Sequence, residues 1–105
     1  MSESNDGIFE AGDLTIDLRN RTIKRGDEQV ALTYTEWKLL DCLGERARQL
    51  VPFEQILSEV WGPDYRNDVL FLRVWISRIR ARLEPDLSNP RVIRQFDDGY
   101  AFVPN

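Results

Sequence analysis

Residues 69–83, VLFLRVWISRIRARL, constrain the fold more than any other stretch of the chain. At helical spacing, Leu72, Ile76, Ile79 and Leu83 fall on one stripe. The other side carries Arg73, Ser77, Arg78, Arg80 and Arg82. Such a helix must lay its stripe on a core and turn its guanidinium groups outward. Guanidinium is planar and matches phosphate and the guanine edge in ways that an ammonium group does not. Charges opposite an apolar stripe are also the ordinary solvated face of a surface helix. A face that is purely positive until Glu84 is not the usual mixture.

The charge distribution sharpens this reading. The net charge is -4, which by itself argues against a nucleic-acid partner. Residues 1–65 carry net -6, residues 66–94 net +4, and residues 95–105 only Asp97 and Asp98. The positive charge is a local patch on an acidic body, and it is where an anionic partner is met.

The chain has 105 residues, enough for one domain with a single modest core. The polar start, MSESND, has no apolar core of a signal peptide, and no apolar run is long enough to span a membrane. A single cysteine, Cys42, excludes an internal disulfide and fits a reducing cytoplasm. Cys42 lies beside Leu39 and Leu43, as a small buried hydrophobe rather than a nucleophile. The absence of histidine excludes Ser-His-Asp and Cys-His nucleophiles and histidine-ligated zinc. Glu54, Glu59 and Asp64 read as surface, with no catalytic motif around them. The expectation is a protein that is not an enzyme, with no cofactor and no metal.

Residues 1–7 are expected to be a disordered N-terminus, followed by one domain over residues 8–105. From Ile8 to Leu32 short alternating runs are separated by turn signals at Arg19-Asn20-Arg21 and Gly26-Asp27. They predict an antiparallel meander of three or four strands, the last from Gln29 to Leu32. The period then becomes helical. Thr33 and Glu36 fit a capping box. Trp37, Leu40, Leu43 and Ala47 form the stripe of a first helix, whose interior Gly44 weakens slightly. Pro52 is placed to open a second helix at its first turn, with Ile56, Leu57, Val60 and Trp61 inward. Gly62-Pro63 stops it. Asn67 or Asp68 caps the arginine-rich third helix, over about 68–83, and Pro85 ends it. Residues 92–96 and 100–103, on either side of Asp97-Asp98-Gly99, predict a closing hairpin.

Strands, three helices and a hairpin are the order of a winged helix-turn-helix. The fold class is therefore α+β, with an N-terminal antiparallel sheet, three helices and a C-terminal wing hairpin. In that arrangement the third helix enters the major groove.

Four motifs carry a resemblance. Leu32-Thr33-Tyr34-Thr35-Glu36-Trp37-Lys38-Leu39-Leu40 opens the first helix. Glu54-Gln55-Ile56-Leu57 leads to Val60-Trp61-Gly62. Val74-Trp75-Ile76-Ser77-Arg78-Ile79-Arg80-Ala81-Arg82-Leu83 forms most of the third helix. Ile93-Arg94 and Gly99-Tyr100-Ala101-Phe102 flank the last turn. In this order they resemble the OmpR/PhoB-type winged-helix effector domain of bacterial response regulators, over roughly residues 8–103. The resemblance implies sequence-specific binding of double-stranded DNA in transcription regulation within two-component systems. It also implies a homodimer on DNA, and contact with RNA polymerase through residues 63–68, bounded by Pro63 and Asp68. Three departures stand out. Arg73 and Trp75 replace the family's Asp and His. Leu70 and Phe71 are apolar where the family is commonly polar. The turn carries Asp97 and Asp98 and lacks the family's wing arginine.

Projected at 100° per residue, Val74, Ser77, Arg78 and Ala81 lie opposite the core stripe, with Arg73 and Arg80 on one flank and Arg82 on the other. Val74, Ser77 and Arg78 are therefore candidates for base edges. Arg66, Arg73, Arg80, Arg82 and Arg94 are candidates for phosphate. Trp75 is expected to cover the side of the core. Leu70 and Phe71 have two readings: apolar surface for a thymine methyl or protein partner, or simple packing and exposure. The acidic turn keeps a second function open, a winged-helix protein-interaction module with weak or no DNA binding.

Overall fold

The computed structural model describes residues 7–104. Within the expected N-terminal segment 1–7, residues 1–6 lie outside the described residues, and the Gly7 carbonyl accepts from Leu18 N–H at 2.8 Å. Four strands open the fold: β1 (Ile8–Ala11), β2 (Leu14–Asp17), β3 (Thr22–Arg25) and β4 (Glu28–Gln29). They form one antiparallel sheet in chain order. Leu14, Ile16 and Ile23 point inward and are buried, as the period-two pattern requires. The last strand stops at Gln29, short of the expected Leu32. Beyond Val30 the chain turns away to start a helix.

Helix α1 (Tyr34–Gly44) begins at a complete capping box. Thr33 Oγ1 accepts from Glu36 N–H at 3.3 Å, and Glu36 Oε1 accepts from Thr33 N–H at 2.8 Å. Both ends of the pair are satisfied, so the Glu36 carboxylate tolerates burial. The helix ends at Gly44, earlier than the stripe suggests, and Ala47 packs on the core from the following turn. Gly44 is thus a terminal residue rather than a weak point in the interior. A Cβ there would run into Leu18 of the sheet.

A strand not foreseen in the sequence, β5 (Val51–Pro52), comes next, and α2 (Phe53–Val60) follows directly. Pro52 therefore sits at the N-cap rather than inside the first turn, with extended backbone. A 3-10 turn (Pro63–Tyr65) leads into α3 (Val69–Leu83). Asp68 is the N-cap position of α3, but its side chain makes no capping hydrogen bond. The closing hairpin is β6 (Ile93–Gln95) and β7 (Gly99–Phe102), one residue shorter at each outer end than expected. In the second sheet β7 lies between β5 and β6. This is the winged helix-turn-helix arrangement, with an N-terminal sheet added.

The core is continuous from Leu14 and Ile23 through Leu40, Ile56 and Leu57 to Ile76, Ile79 and Phe102. Phe9 stands edge-on to Phe102 at 5.2 Å, joining the first sheet to the hairpin. Trp37 and Leu40 are buried as expected, whereas Trp61 is only half-buried at the end of α2. Among the described residues no helix is long and apolar enough to cross a membrane.

Cys42 is buried, with Sγ 3.7 Å from Glu59 Oε1. Burial, then the Glu59 charge, pushes its thiol up to about 12. The folded state holds this proton where an unfolded thiol releases it. The thiol's contribution to stability is therefore full below about pH 9 and is lost as pH rises through about 12. Denaturant titrations across this range are expected to show a loss that Cys42→Ala does not share. Iodoacetamide is expected to modify Cys42 only after unfolding.

Candidate nucleic-acid interface

The apolar stripe sets the roll of α3: Leu72, Ile76, Ile79 and Leu83 are all buried. Its opposite face is therefore open by necessity. A second set of contacts fixes its far end. Glu84, the C-cap, is buried. Its carboxylate accepts from the N–H groups of Arg91 (2.7 Å), Val92 (2.9 Å) and Ile93 (2.7 Å). Arg80 returns the contact, donating from Nε and Nη2 to Ile93 O at 3.1 and 2.9 Å. Arg25 of β3 donates to the Arg82 and Leu83 carbonyls, which no helical amide can reach. The first sheet, the end of α3 and the start of the hairpin are thereby tied at one place.

The structure places the residues singled out by the sequence as follows. Val74, Ser77, Arg78 and Ala81 are exposed along the free face. Arg73 is exposed on the flank facing the hairpin. Burial pushes the Tyr100 phenol above its ordinary value, and the charges of Arg80 and Arg73 pull it partly back. Arg80 lies on that same flank but is half-buried over the Tyr100 ring. Arg80, a phosphate candidate in the sequence, donates Nε and Nη2 to Ile93 O, which leaves Nη1 for a further partner. Arg82 is exposed on the opposite flank, with Nη1 3.3 Å from Ala31 O. Arg66 is exposed beside the 3-10 turn and touches Pro63 O at 3.2 Å. Arg94 is exposed on β6, with Nε donating to Arg91 O at 2.9 Å. Among the described residues no ion pair joins any α3 arginine to a carboxylate. Arginines elsewhere do pair: Arg21 with Asp41 at 2.7 Å and Arg46 with Glu59 at 2.9 Å.

The two ends of the face differ from the simple picture. At the N-terminal end, Leu70 is 73% exposed and Val74 51% exposed. Phe71 and Trp75 turn sideways and are half-buried against Trp61. At the hairpin, the Asp97-Asp98 turn is drawn back onto α2. Asp98 O accepts from Phe53 N–H at 2.9 Å. Gly99 permits this approach, because a Cβ there would strike the Val51 carbonyl. Asp97 and Asp98 share one shallow concavity with Phe53, Arg66 and Val69, near the starts of α2 and α3. Acidic side chains at helix N-termini oppose the positive end of the dipole, which is favourable.

This geometry has known counterparts. The family described as "Transcriptional regulatory protein, C terminal" matches residues 27–102. The chain belongs to this family of transcriptional regulators, of the OmpR/PhoB type. It is 33% identical over 102 residues to the transcriptional regulatory protein KdpE of Mycobacterium tuberculosis, covering 96% of this chain and 45% of that protein. It is 36% identical over 99 residues to the KDP operon transcriptional regulatory protein KdpE of Escherichia coli, covering 93% of this chain and 44% of that protein. The chain thus spans less than half the length of these curated relatives. Among solved structures it is similar to the Klebsiella pneumoniae RstA DNA-binding domain in complex with the RstA box. The TM-score is 0.78 and the identity 31%, over 93% of this chain and 98% of that one. It is also similar to the response regulator DrrB of Thermotoga maritima, an OmpR/PhoB homologue. There the TM-score is 0.73 and the identity 29%, over 92% of this chain and 44% of that one. The family is not one of enzymes.

Sequence reasoning missed Glu84, Arg25 and Arg91 as parts of the helix-hairpin junction. One signal for Glu84 was available. A carboxylate at a helix C-terminus faces the negative end of the dipole, so it needs a specific partner. Glu84→Ala leaves several buried N–H groups without an acceptor and is expected to cost roughly 2–4 kcal/mol in urea unfolding. A loss below about 0.5 kcal/mol, the ordinary surface range, would show that the junction does not depend on it.

Proposed function

We propose that this domain binds double-stranded DNA sequence-specifically in transcription regulation, with α3 in the major groove. The observation that carries the proposal is the open face of α3, whose arginines have no carboxylate partner among the described residues. Support also comes from the similarity to the RstA domain solved with its DNA box. Ser77 and Arg78 take base edges, Arg78 through the bidentate pattern that guanine offers. Val74 and Leu70 meet thymine methyl groups. This gives the exposed apolar residues a partner without invoking a protein. Arg66, Arg73, Arg82 and Arg94 neutralise phosphates, and Arg80 assists through the nitrogen it does not spend on Ile93. A homodimer on DNA and a contact with RNA polymerase through residues 63–68 belong to the same proposal, as does a cytoplasmic setting. So does the extent of the domain, residues 8–105.

Two classes of arginine give two signatures. Arg78→Ala is expected to cost roughly 1–3 kcal/mol at the best site and to relax base preference there. Arg73→Ala is expected to weaken all sequences alike and to lower the salt slope by about one unit. Binding titrations on a selected site and on an unrelated duplex, across salt concentrations, distinguish the two. Unchanged binding in both variants would refute the major-groove placement.

The acidic turn is tested separately. Replacing Asp97 and Asp98 together with asparagine removes two charges and keeps turn-forming side chains. Tighter binding to any duplex is expected at low salt, fading at physiological salt, with no change in preferred sequence. Equal affinity across the salt range would show that the turn stays away from the phosphates.

A further inference from the structure

We infer that Trp75 is a positioning residue, whose indole ring holds the Arg78 guanidinium in the pose from which it reads a base. The inference rests on the base-reading role proposed above for Arg78. The Arg78 guanidinium carbon lies 4.7 Å from the centroid of the Trp75 ring. The two residues are three apart in α3, so they neighbour each other on the helix surface. Among the described residues no hydrogen bond and no ion pair restrains Arg78. The ring is its one defined support.

The support is itself immobilised. Trp75 lies 6.0 Å from Trp61 at a tilt of 43°, and 6.5 Å from Phe71 at 72°. Trp61 and Phe71 meet edge to face at 5.0 Å, and Tyr65 adds a fourth ring 5.5 Å from Phe71. An indole wedged in this cluster cannot swing away when the arginine moves. A free arginine loses rotamer entropy when it docks on a base. Restricting it beforehand recovers part of that loss.

Comparison within α3 shows why Arg78 is the residue served. Among the described residues, Arg78 lies over Trp75 and Arg80 over Tyr100. Arg80 spends Nε and Nη2 on Ile93 O, so its ring contact fastens helix to hairpin. Among the described residues Arg78 spends no donor. A cation-π contact consumes no hydrogen-bond acceptor, so a guanidinium stacked on the ring keeps its N–H edge for the guanine. The structure thus holds one arginine of α3 oriented and fully available. A base edge accepts the guanidinium in fewer poses than a phosphate, whose oxygens can be met from several directions, so the device bears mainly on specificity.

The test is a double-mutant cycle on Trp75 and Arg78 in the whole domain. It is read as the affinity ratio between the best site and the same site with the contacted guanine replaced. Trp75→Leu keeps apolar volume and removes the aromatic face. It is expected to lower this ratio about three- to tenfold, leaving the salt slope and binding to an unrelated duplex unchanged. In the Arg78→Ala background it is expected to have no further effect. A packing role alone would weaken all duplexes equally and lower the melting temperature, and that result overturns the inference. So does a loss that simply multiplies with that of Arg78→Ala. If Arg78→Ala itself leaves the ratio unchanged, the base-reading role falls first and this inference with it. Trp75→Phe, which keeps a weaker ring face, is expected to retain most of the ratio. It serves in the cycle if the leucine variant does not fold. In the DNA-free protein, Arg78 side-chain protons are expected upfield of their random-coil positions, and Trp75→Leu to abolish the shift. An unshifted Arg78 overturns the stacking directly.

Discussion

The Glu84 carboxylate is the contact on which the working geometry depends. It closes α3 and supplies acceptors to consecutive amides at the start of the hairpin. Without it the hairpin would enter β6 with buried N–H groups unpaired, a cost of about 1–3 kcal/mol for each. The burial of a carboxylate is tolerable because several charge-assisted hydrogen bonds replace its water. Arg80 and Arg25 complete the junction from opposite sides, one gripping Ile93 O and the other the last carbonyls of α3. A reading helix needs a fixed angle to the elements beside it. Here that angle is set by polar contacts at its C-terminal end and by the Leu72-Ile76-Ile79-Leu83 stripe along its length.

The same economy governs the charges. An acidic protein approaches a polyanion against its own net charge, so the local field decides the encounter. Arg21, Arg25 and Arg46 lie near or pair with carboxylates on the acidic body. Such exposed pairs contribute little to stability, about 0–1 kcal/mol each. Their consequence is spatial: Arg21 and Arg46 are neutralised on the acidic body, whereas among the described residues the α3 arginines have no carboxylate partner. The arginines of α3 then divide by their neighbours rather than by their charge. Arg80 is a fastener, Arg73 and Arg82 flank the face, and Arg78 lies over an indole.

The hairpin turn shows how a departure from the family pattern is accommodated. Asp97 and Asp98 put negative charge at the turn of the hairpin. The backbone hydrogen bond from Phe53 to Asp98 O draws this turn onto the start of α2. There the exposed carboxylates line one concavity with Phe53, Arg66 and Val69, near the starts of α2 and α3. The short hairpin and the glycine at position 99 make that approach possible.

The order of elements, the turns of the first sheet, the Thr33-Glu36 capping box and the buried stripe of α3 could all be read from the chain. Each is a local pattern of two or 3.6 residues, or a cap that acts over one turn, and such patterns survive in any tertiary setting. The outward position of Val74, Ser77 and Arg78 followed from the same periodicity. The short β5 strand, the shift of Pro52 to the N-cap and the early end of α1 at Gly44 could not be read. They depend on what lies opposite: β7 for Val51, Leu18 for Gly44. The roles of Glu84 and Arg80 were hidden for the same reason. Their partners are seven to thirteen residues away, or sit on another element, and periodicity cannot weigh such contacts. The sequence by itself determined which face of α3 is free. Only the tertiary structure decided which arginine on it is spent, because donors are spent on acceptors that folding brings near.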